Sequence, residues 1–369
     1  MRDRIKVGFI FAAVLAAGLT FFQSRQSAQT KVETAGQKFK NIKVLNDMPA
    51  DQLGKVMNLM SASLGVDCKM CHVSNDKDFE KDGIDHKDIA RKMITMTFDL
   101  NKNFFEGKPE VSCNTCHNGH ERPVAVPSLF PAVHAERPRQ PTVKPTIDQI
   151  LVKYTESLGG KSNLAKIISR TVKAARIEPD GKLSEPEAIW QKGEMMRVET
   201  TYGKYVVTEA FDGKTVWKSG NGEAIVLRPD ESEQIKREAQ LFANSDLKSI
   251  YAKMDFRFVD KIDRHEVNFV LATLADNSRE RLYFDAVTGE LVRRIASSMT
   301  VLGQFQFQVD YSDYRDFGGV KIPTTIRFAV PNISWTRKIV DLKNNVPIDE
   351  GLFLLRSSKP PVSVGRPQS

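Results

Sequence analysis

Two short motifs in this sequence could carry chemistry, and both read C-x-x-C-H. They are Cys68-Lys69-Met70-Cys71-His72 and Cys113-Asn114-Thr115-Cys116-His117, and together they hold all 4 cysteines of the chain. In this motif the two thiols add across the vinyl groups of a haem, and the histidine next to them binds the iron. We therefore predict two covalently bound haem c groups, attached through Cys68, Cys71, Cys113 and Cys116, with His72 and His117 as axial iron ligands.

Two other chemistries use C-x-x-C pairs, and neither fits this pattern. A structural zinc site usually has about 15–20 residues between its pairs. Cys71 and Cys113 lie much further apart, and the two histidines would have no role. Redox disulfides would need a thioredoxin-like βαβ context, whereas the sequence around both motifs has a helical pattern. The prediction is therefore covalent haem attachment.

A repeated pair of methionines offers a sixth ligand for each iron. Met57 and Met60 precede the first motif, and Met93 and Met96 precede the second. The members of each pair lie on one face of a predicted helix. A thioether is an axial haem ligand that raises the reduction potential, although methionine at this spacing is also common in cores. The residues alone leave open which methionine of each pair binds iron.

Helices are predicted to position these residues. One apolar stripe, ended by Gly65, predicts a helix before the first motif; its members are Leu53, Val56, Met57, Met60 and Leu64. A second stripe predicts a helix before the second motif and consists of Ile89, Met93, Met96 and Leu100.

Other polar residues near the motifs are expected to have smaller roles. His86 is placed to begin the second helix, and His120 is expected to make a surface or propionate contact. Arg91, Lys92 and Arg122 are candidate partners for haem propionates, and ordinary solvated charge explains each of them equally well.

The region from about residue 37 to 123 resembles the cytochrome c subunit family of photosynthetic reaction centres. The resemblance lies in residues 41–45, 63–68, 90–96 and 111–117. In that family a helix before each C-x-x-C-H supplies the axial methionine. The resemblance therefore implies that Met57 pairs with His72 and Met93 with His117, while Met60 and Met96 would be packing residues. The photosynthetic subunits carry four haems, whereas this chain has motifs for two, so we expect a two-haem module of the same design.

The N-terminus predicts export. Arg2, Arg4 and Lys6 are followed by an uninterrupted apolar run over residues 7–22 and then by polar residues. A basic segment before a short apolar run is typical of a secretory signal. No clean cleavage site follows the run, so residues 1–28 are either a signal peptide or an uncleaved membrane anchor. We expect the rest of the chain, including the two-haem domain at residues 29–122, to be periplasmic.

The C-terminal half predicts a different architecture. A proline-rich linker over residues 123–145 precedes Thr146, which could cap a helix closed by Gly159 and Gly160. From there to residue 350 the pattern is mostly alternating, with turn signals, and one helical insertion is predicted from Glu231 to Met254. In residues 304–311 aromatic and apolar residues alternate with polar ones, so one face is expected to be buried and the other wet.

The predicted fold class is α+β multidomain. It consists of an all-α cytochrome domain, then an antiparallel β half-barrel-like domain with helices (146–350), then a loose tail (351–369).

The β half also resembles, in its turns, the periplasmic lipoprotein carriers and lipoprotein-sorting proteins. The similar segments are residues 211–217 and 284–291. The resemblance implies an open half-barrel plugged by helices, whose concave face is a candidate site for a lipophilic ligand. Nothing in this half has the pattern of a catalytic site, so it could equally be a docking module.

The composition limits the classes of function that the chain can have. The 369 residues have 54 Lys+Arg and 46 Asp+Glu, a net charge of +8, and no run of like charges typical of nucleic-acid binding. We predict an exported dihaem c-type cytochrome that exchanges single electrons with periplasmic redox proteins, rather than a catalyst with its own substrate. Two alternatives stay open: a dihaem peroxidase with one open iron, and a redox protein that binds a quinone or lipid in its β domain.

Overall fold

The computed structural model describes residues 32–72, 79–82, 85–123, 144–177, 181–220, 224–227, 229–243, 246–263 and 265–355. The predicted signal or anchor (1–28) and most of the predicted linker therefore lie outside the described residues. Two parts are named here: the helical module at residues 32–123 and the sheet module at residues 144–355. Among the described residues no helix is both long and apolar enough to span a membrane.

The helical module contains both C-x-x-C-H motifs. Its helices are α1 (Ala35–Lys38), α2 (Gln52–Leu64), α3 (His86–Phe104) and α4 (Cys113–His117), with a 3₁₀ turn at Cys68–Met70. Both predicted helices are confirmed as α2 and α3. Gly65 ends α2 as predicted, because its φ of 67° is a left-handed conformation that glycine adopts at low cost.

The sheet module is built on one antiparallel sheet of 13 strands in the order β6-β5-β4-β3-β2-β1-β13-β12-β11-β10-β9-β8-β7. Two meanders, β1–β6 and β7–β13, are joined where β1 pairs with β13. The predicted α+β fold class, with an open antiparallel sheet, is thereby confirmed. The strands are β1 (Ser169–Ile177), β2 (Leu183–Lys192), β3 (Met195–Tyr202), β4 (Tyr205–Phe211), β5 (Val216–Ser219), β6 (Ile225–Val226), β7 (Lys253–Ile262), β8 (His265–Thr273), β9 (Arg279–Asp285), β10 (Leu291–Thr300), β11 (Gly303–Asp316), β12 (Lys321–Val330) and β13 (Ile333–Asn344).

Three helices accompany the sheet: α5 (Ile147–Ser157), α6 (Lys161–Leu164) and α7 (Pro229–Ala243). The predicted cap of α5 is confirmed, because the Thr146 hydroxyl accepts a hydrogen bond from Gln149 N at 3.2 Å. Ile150 and Tyr154 of α5 pack on the strands β8–β10. Ile235 and Ala239 of α7 pack on the other half of the sheet. Each helix thus buries an apolar stripe against alternate residues of the strands.

Two predicted boundaries need correction. The helical insertion predicted for Glu231–Met254 ends earlier, since α7 stops at Ala243 and Met254 lies within β7. Charged residues concealed the alternation in β7. The predicted tail also begins too early: Phe353 is fully buried, and its carbonyl accepts a hydrogen bond from Trp217 Nε1 at 2.8 Å.

The two modules share a hydrophobic core. The turn between β10 and β11 places Leu302, which is 3% exposed, among the core residues of the helical module. Its neighbour Val301 donates a backbone hydrogen bond to Gln52 Oε1 of α2 at 3.3 Å. The β10–β11 hairpin is therefore part of the structure that surrounds the two motifs.

Candidate functional site

The first motif begins directly after α2. Cys68 to Met70 form a 3₁₀ turn capped by Asp67, whose carboxylate accepts a hydrogen bond from Lys69 N at 2.9 Å. Cys68 is exposed and Cys71 is half-buried, and neither forms a disulfide. Burial raises the pKa of the Cys71 thiol, while nearby Lys87 opposes this rise.

The second motif is the short helix α4. Its start is fixed by a capping box in which Thr115 Oγ1 accepts a hydrogen bond from Ser112 N at 3.0 Å. Left-handed residues Asn118 and Gly119 end it. Gly119 N then donates to Ser63 O of α2 at 2.8 Å, so the end of the second motif is tied to the helix before the first.

Both motif histidines are oriented by a backbone carbonyl. His72 Nδ1 lies 3.2 Å from Phe79 O, and His117 Nδ1 lies 3.0 Å from His120 O. A carbonyl oxygen only accepts hydrogen bonds, so in each pair Nδ1 is the donor and Nε2 keeps its lone pair. This is the arrangement by which proteins orient a metal-binding imidazole. Burial and the charge of Lys87 also lower the pKa of His72, which favours the neutral form that binds metals.

An open cleft of about 620 Å³ lies beside the first motif. Met57, Met60, Cys71 and His72 all line it, so the structure brings both candidate methionines to the first histidine. Met60 also packs against the core of the helical module, whereas Met57 is not among the residues of that cluster. A flat apolar ring with charged propionates suits this cleft, because most of its other side chains are apolar or basic: Ile42, Val44, Leu45, Phe79, Ala90, Ile94, Lys40, Lys43, Lys87 and Arg91, with Asn41 and Glu80 as the exceptions.

The rim of this cleft is held by a charged network around Asp82. Its carboxylate accepts hydrogen bonds from Arg91 Nη2 and Lys43 Nζ, each at 2.8 Å, and from Asn41 Nδ2 at 2.9 Å. The bond from Arg91, followed by that from Lys43, lowers the pKa of Asp82 far below its usual range. Arg91, a candidate propionate partner, thus pairs with a carboxylate of the chain itself, and also with Asp88 at 2.6 Å.

The second methionine pair lies on an exposed face of α3. Met93 is 39% exposed and Met96 is 43% exposed, and Ile89 and Phe104 lie on the same side at 53% and 74%. Met96 also lines an open cleft along α3, and neither Met93 nor His117 is among the residues of that cleft. Asn101 of α3 holds the segment before α4 through hydrogen bonds with Val111 N and O at 2.9 and 2.8 Å.

Sequence reasoning missed two of these features. His86 begins α3 as predicted, but its Nδ1 also contacts Met70 O of the first motif at 2.7 Å. Phe79 orients His72 through its carbonyl and packs edge-on against the imidazole at 5.1 Å between ring centres. No local pattern marks Phe79, because its carbonyl meets an imidazole seven residues earlier. His120 contributes its carbonyl oxygen to the orientation of His117.

The sheet module contains a cavity of about 690 Å³ between the sheet and its helices. Apolar side chains dominate its walls, and Tyr154, Tyr311 and Tyr314 add three hydroxyl groups. Burial raises the pKa of each of these tyrosines, so they stay neutral. Nearby, buried Glu280 accepts hydrogen bonds from Arg237 at 3.0 Å, Arg294 at 3.3 Å and Tyr251 at 2.6 Å.

Two C-x-x-C-H motifs whose histidines present Nε2 are consistent with a c-type cytochrome, and comparison with known proteins identifies the family. Residues 13–196 match the photosynthetic reaction centre cytochrome C subunit family. The chain therefore carries a domain of this family, and covalent haem binding and electron transfer are its implied properties. The matched region extends past the helical module into β3.

Two curated proteins are similar to part of the chain. One is the photosynthetic reaction center cytochrome c subunit of Roseobacter denitrificans, which is 31% identical over 99 residues, 25% of this chain and 27% of the relative. The other is cytochrome c-554 of Chloroflexus aurantiacus, 36% identical over 84 residues, 21% of this chain and 20% of the relative. The similarity thus spans about a quarter of the length of these relatives.

Comparison with solved structures gives a different set of similar proteins. A LolA superfamily protein from Nitrosomonas europaea has a TM-score of 0.40 at 14% identity, covering 57% of this chain and 98% of its own. A putative outer membrane lipoprotein-sorting protein domain from Vibrio parahaemolyticus has a TM-score of 0.37 at 10% identity, covering 50% of this chain and 88% of its own. The C-terminal part of the chain is the part that resembles them.

Proposed function

We propose that this chain is an exported electron carrier with two covalently bound haems. A bound haem supplies the one-electron couple of its iron. Cys68 and Cys71 hold the first haem and Cys113 and Cys116 hold the second, while His72 and His117 bind the two irons through Nε2. The single observation that carries the proposal is that both histidines direct Nδ1 to a carbonyl and keep Nε2 for a metal.

Methionine completes each iron site in this proposal. Met57 lines the same cleft as His72 and is assigned to the first iron. Met93 is assigned to the second iron with His117; the support is the exposed apolar face of α3, which a haem attached at α4 would cover. With two protein ligands on each iron, small molecules have no open position and ligation stays unchanged between oxidation states, as suits a carrier.

Partners and location follow from the same proposal. The chain would exchange electrons with redox proteins in the periplasm, after export directed by residues 1–28, which would either be removed or remain as a membrane anchor.

The decisive experiment is to express the full chain with a haem-attachment system and count covalent haems. We expect a mass increase equal to two haems, and loss of one haem from each of two variants, Cys68→Ala with Cys71→Ala and Cys113→Ala with Cys116→Ala. Both ferric haems should show the weak far-red absorption of iron–methionine coordination. High-spin signals from one haem would instead favour the peroxidase alternative, and absence of covalent haem would refute the proposal.

A second candidate function concerns the cavity of the sheet module. Its apolar walls and neutral tyrosines suit a lipophilic ligand, such as a lipid or a quinone. Native mass spectrometry of the purified full chain tests this directly: a lipid or quinone that co-purifies, and is lost when Val309 is changed to Arg, supports it. A chain that carries no such molecule and binds none from added lipid extract contradicts it.

A further inference from the structure

Lys87, near the start of α3, shares a carbonyl group with the histidine of the first motif. Phe79 O, which orients His72, also accepts a hydrogen bond from Lys87 Nζ at 2.6 Å. The same ammonium donates to Lys81 O at 2.5 Å. One carbonyl oxygen, with its two lone pairs, thus receives both a neutral imidazole N–H and a charged ammonium.

The position of Lys87 in its helix is unfavourable for a cation. Because α3 begins at His86, Lys87 lies in the first turn, where the helix dipole disfavours positive charge. The two carbonyl oxygens supply negative partners that compensate for this position. Lys87 is also half-buried and lines the cleft that contains Met57 and His72. Its charge is therefore held at the wall of the first site.

The second motif offers a direct comparison. There the histidine donates to a backbone carbonyl three residues later, and the distance from Nδ1 to the oxygen is 3.0 Å, against 3.2 Å at the first motif. A hydrogen bond donated by Nδ1 makes an imidazole a more basic iron ligand. An acceptor that is already engaged by an ammonium polarises the imidazole less. His72 should therefore be a weaker electron donor to iron than it would be without Lys87.

The charge of Lys87 acts in the same direction. A positive charge close to an iron favours the ferrous state, and it does so more strongly in a partly buried site than in water. The charge of Lys87 also lowers the pKa values of both His72 and Cys71, so it acts on two groups of the first motif. The weaker hydrogen bond and the charge should both favour the reduced form of the first haem.

We propose that Lys87 is a positioning residue that raises the reduction potential of the first haem, through the carbonyl of Phe79 and through its own charge. This inference rests on the proposed function, since it presupposes covalent haem. Hydrogen bonding beyond the iron ligands is one of the means by which proteins set haem potentials. Lys87 thereby makes the first haem a better electron acceptor.

The test is a redox titration of the full two-haem chain carrying Lys87→Met, which keeps an unbranched side chain but removes the ammonium. One of the two midpoint potentials should fall. The expected size is about a tenfold rise in the ferric-to-ferrous ratio of that haem at a fixed potential, or about 59 mV. Lys87→Arg keeps the charge and the donors, so it should retain most of the original potential. Unchanged potentials in Lys87→Met would overturn the inference.

Lys40 provides a matched control. It lines the same cleft, but its side chain is 85% exposed and its ammonium lies 4.0 Å from the carboxylate of Glu80. Lys40→Met removes the same charge from a position that solvent and salt screen, so the potential should fall by much less than in Lys87→Met. An equal fall in the two variants would overturn the specific role of Lys87.

The ring N–H of His72 separates this role from a merely structural one. In the ferrous low-spin protein, its proton resonance should move downfield in Lys87→Met, because the carbonyl then accepts from the imidazole alone. If Lys87 only held residues 79–82 in place, its loss would free the carbonyl and the resonance would move upfield, which would overturn the inference. The ring N–H resonance of His117 should stay unchanged.

Single-haem chains identify which haem responds. With Cys113→Ala and Cys116→Ala, which leave only the first haem, the fall in potential should persist. With Cys68→Ala and Cys71→Ala it should vanish, and either chain alone is informative if the other fails to accumulate. A fall confined to the second haem would overturn the inference. Failure of the proposed function would be seen separately, as a chain without covalent haem.

Discussion

The two C-x-x-C-H motifs have the same chemistry but different surroundings. The first faces a cleft formed within the helical module, where Met57 and His72 lie together. The second begins beside the β10–β11 hairpin, since Gly303 lies against Ser112, and its candidate ligand Met93 is 39% exposed. The first cleft is thus lined by residues 40–94, whereas the second motif begins beside a hairpin that comes much later in the chain.

This difference has a limit, because both sites are supported by one core. Leu302 of the β10–β11 hairpin packs in the core of the helical module with Leu45, Met60 and Ile94, which line the first cleft, and with Cys113 of the second motif. Substitutions at Leu302 should therefore disturb both sites.

Removal of an axial methionine should have the largest effect, because it frees one coordination position of the iron. Met57→Ala should leave the haem attached but let the ferrous first iron bind carbon monoxide, seen as a new Soret band for one haem per chain. Met60→Ala is the control: it should lower stability through lost packing without opening the iron. If Met60→Ala gains the band and Met57→Ala does not, the ligand is one helical turn away.

An equivalent pair of variants tests the ligand assignment at the second site. Met93→Ala should open the second iron, and Met96→Ala should not. Met93 and Met96 are similarly exposed on one face of α3. Carbon monoxide binding in the Met96 variant alone would reassign the ligand at this site while leaving the first site as proposed.

Truncation of Leu302 should give the largest loss of stability. Leu302→Ala leaves a cavity in a buried core and should cost about 3 kcal/mol of unfolding free energy. The exposed Met299→Ala, in the same hairpin at 60% exposure, should change it by less than about 0.5 kcal/mol. Urea unfolding followed at the Soret band reports the helical module, and tryptophan fluorescence reports the sheet module, which holds all 3 tryptophans. A helical module that unfolds unchanged would show that the modules are independent.

Substitutions at Gly65 and Gly54 test the contact between the end of α2 and the residues after the second motif. A Cβ at Gly65 would lie 2.2 Å from Gly119 O, and the φ of 67° is unfavourable for alanine, so Gly65→Ala should destabilise the helical module by about 2 kcal/mol. Gly54 lies in the first turn of α2, where a Cβ would meet no atom within 4 Å, so Gly54→Ala should stabilise by about 0.5 kcal/mol. Thermal unfolding at the Soret band distinguishes these results, and a tolerated Gly65→Ala would contradict the close approach.

Local patterns were sufficient to predict α2, α3, α5 and the alternating strands, but not the end of α7. The stripes that gave α2 and α3, and the glycine that ends α2, act within a few residues of one another. The thiols and histidines followed from the motif alone. The sequence signal failed where charged residues concealed alternation, as in β7, and where a short segment is buried by distant partners, as at Phe353.

The surroundings of the second site could not be predicted for the same reason. Alternation in β11 correctly separated two faces, but it could not indicate that the polar face lines an open cleft together with Cys113 of the helical module. Likewise, no local pattern indicates that the carbonyl of Phe79 is a partner of His72, seven residues earlier. Contacts between segments far apart in sequence depend on how complete surfaces pack, and no spacing rule encodes them.

The smallest expected effect concerns the charged rim of the first cleft. Asp82 has a lowered pKa through hydrogen bonds from Arg91 and Lys43, so its contribution to stability is present at neutral pH. That contribution should fade as the pH drops below about 4, the range in which the unfolded chain takes up the proton. Asp82→Asn should remove the pH dependence and speed hydrogen exchange of the backbone amides at residues 41–43 and 79–82 at pH 7.

Asp88→Asn is the matched control, because the ion pair of Asp88 with Arg91 involves neither Lys43 nor residues 79–82. It should leave exchange in residues 79–82 close to that of the unsubstituted chain. Since the network lies near solvent, the difference between Asp82→Asn and the unsubstituted chain should also shrink in high salt. The second site has no such network at its described histidine, so an equal change in exchange near His117 would mean that the two sites respond as one unit rather than separately.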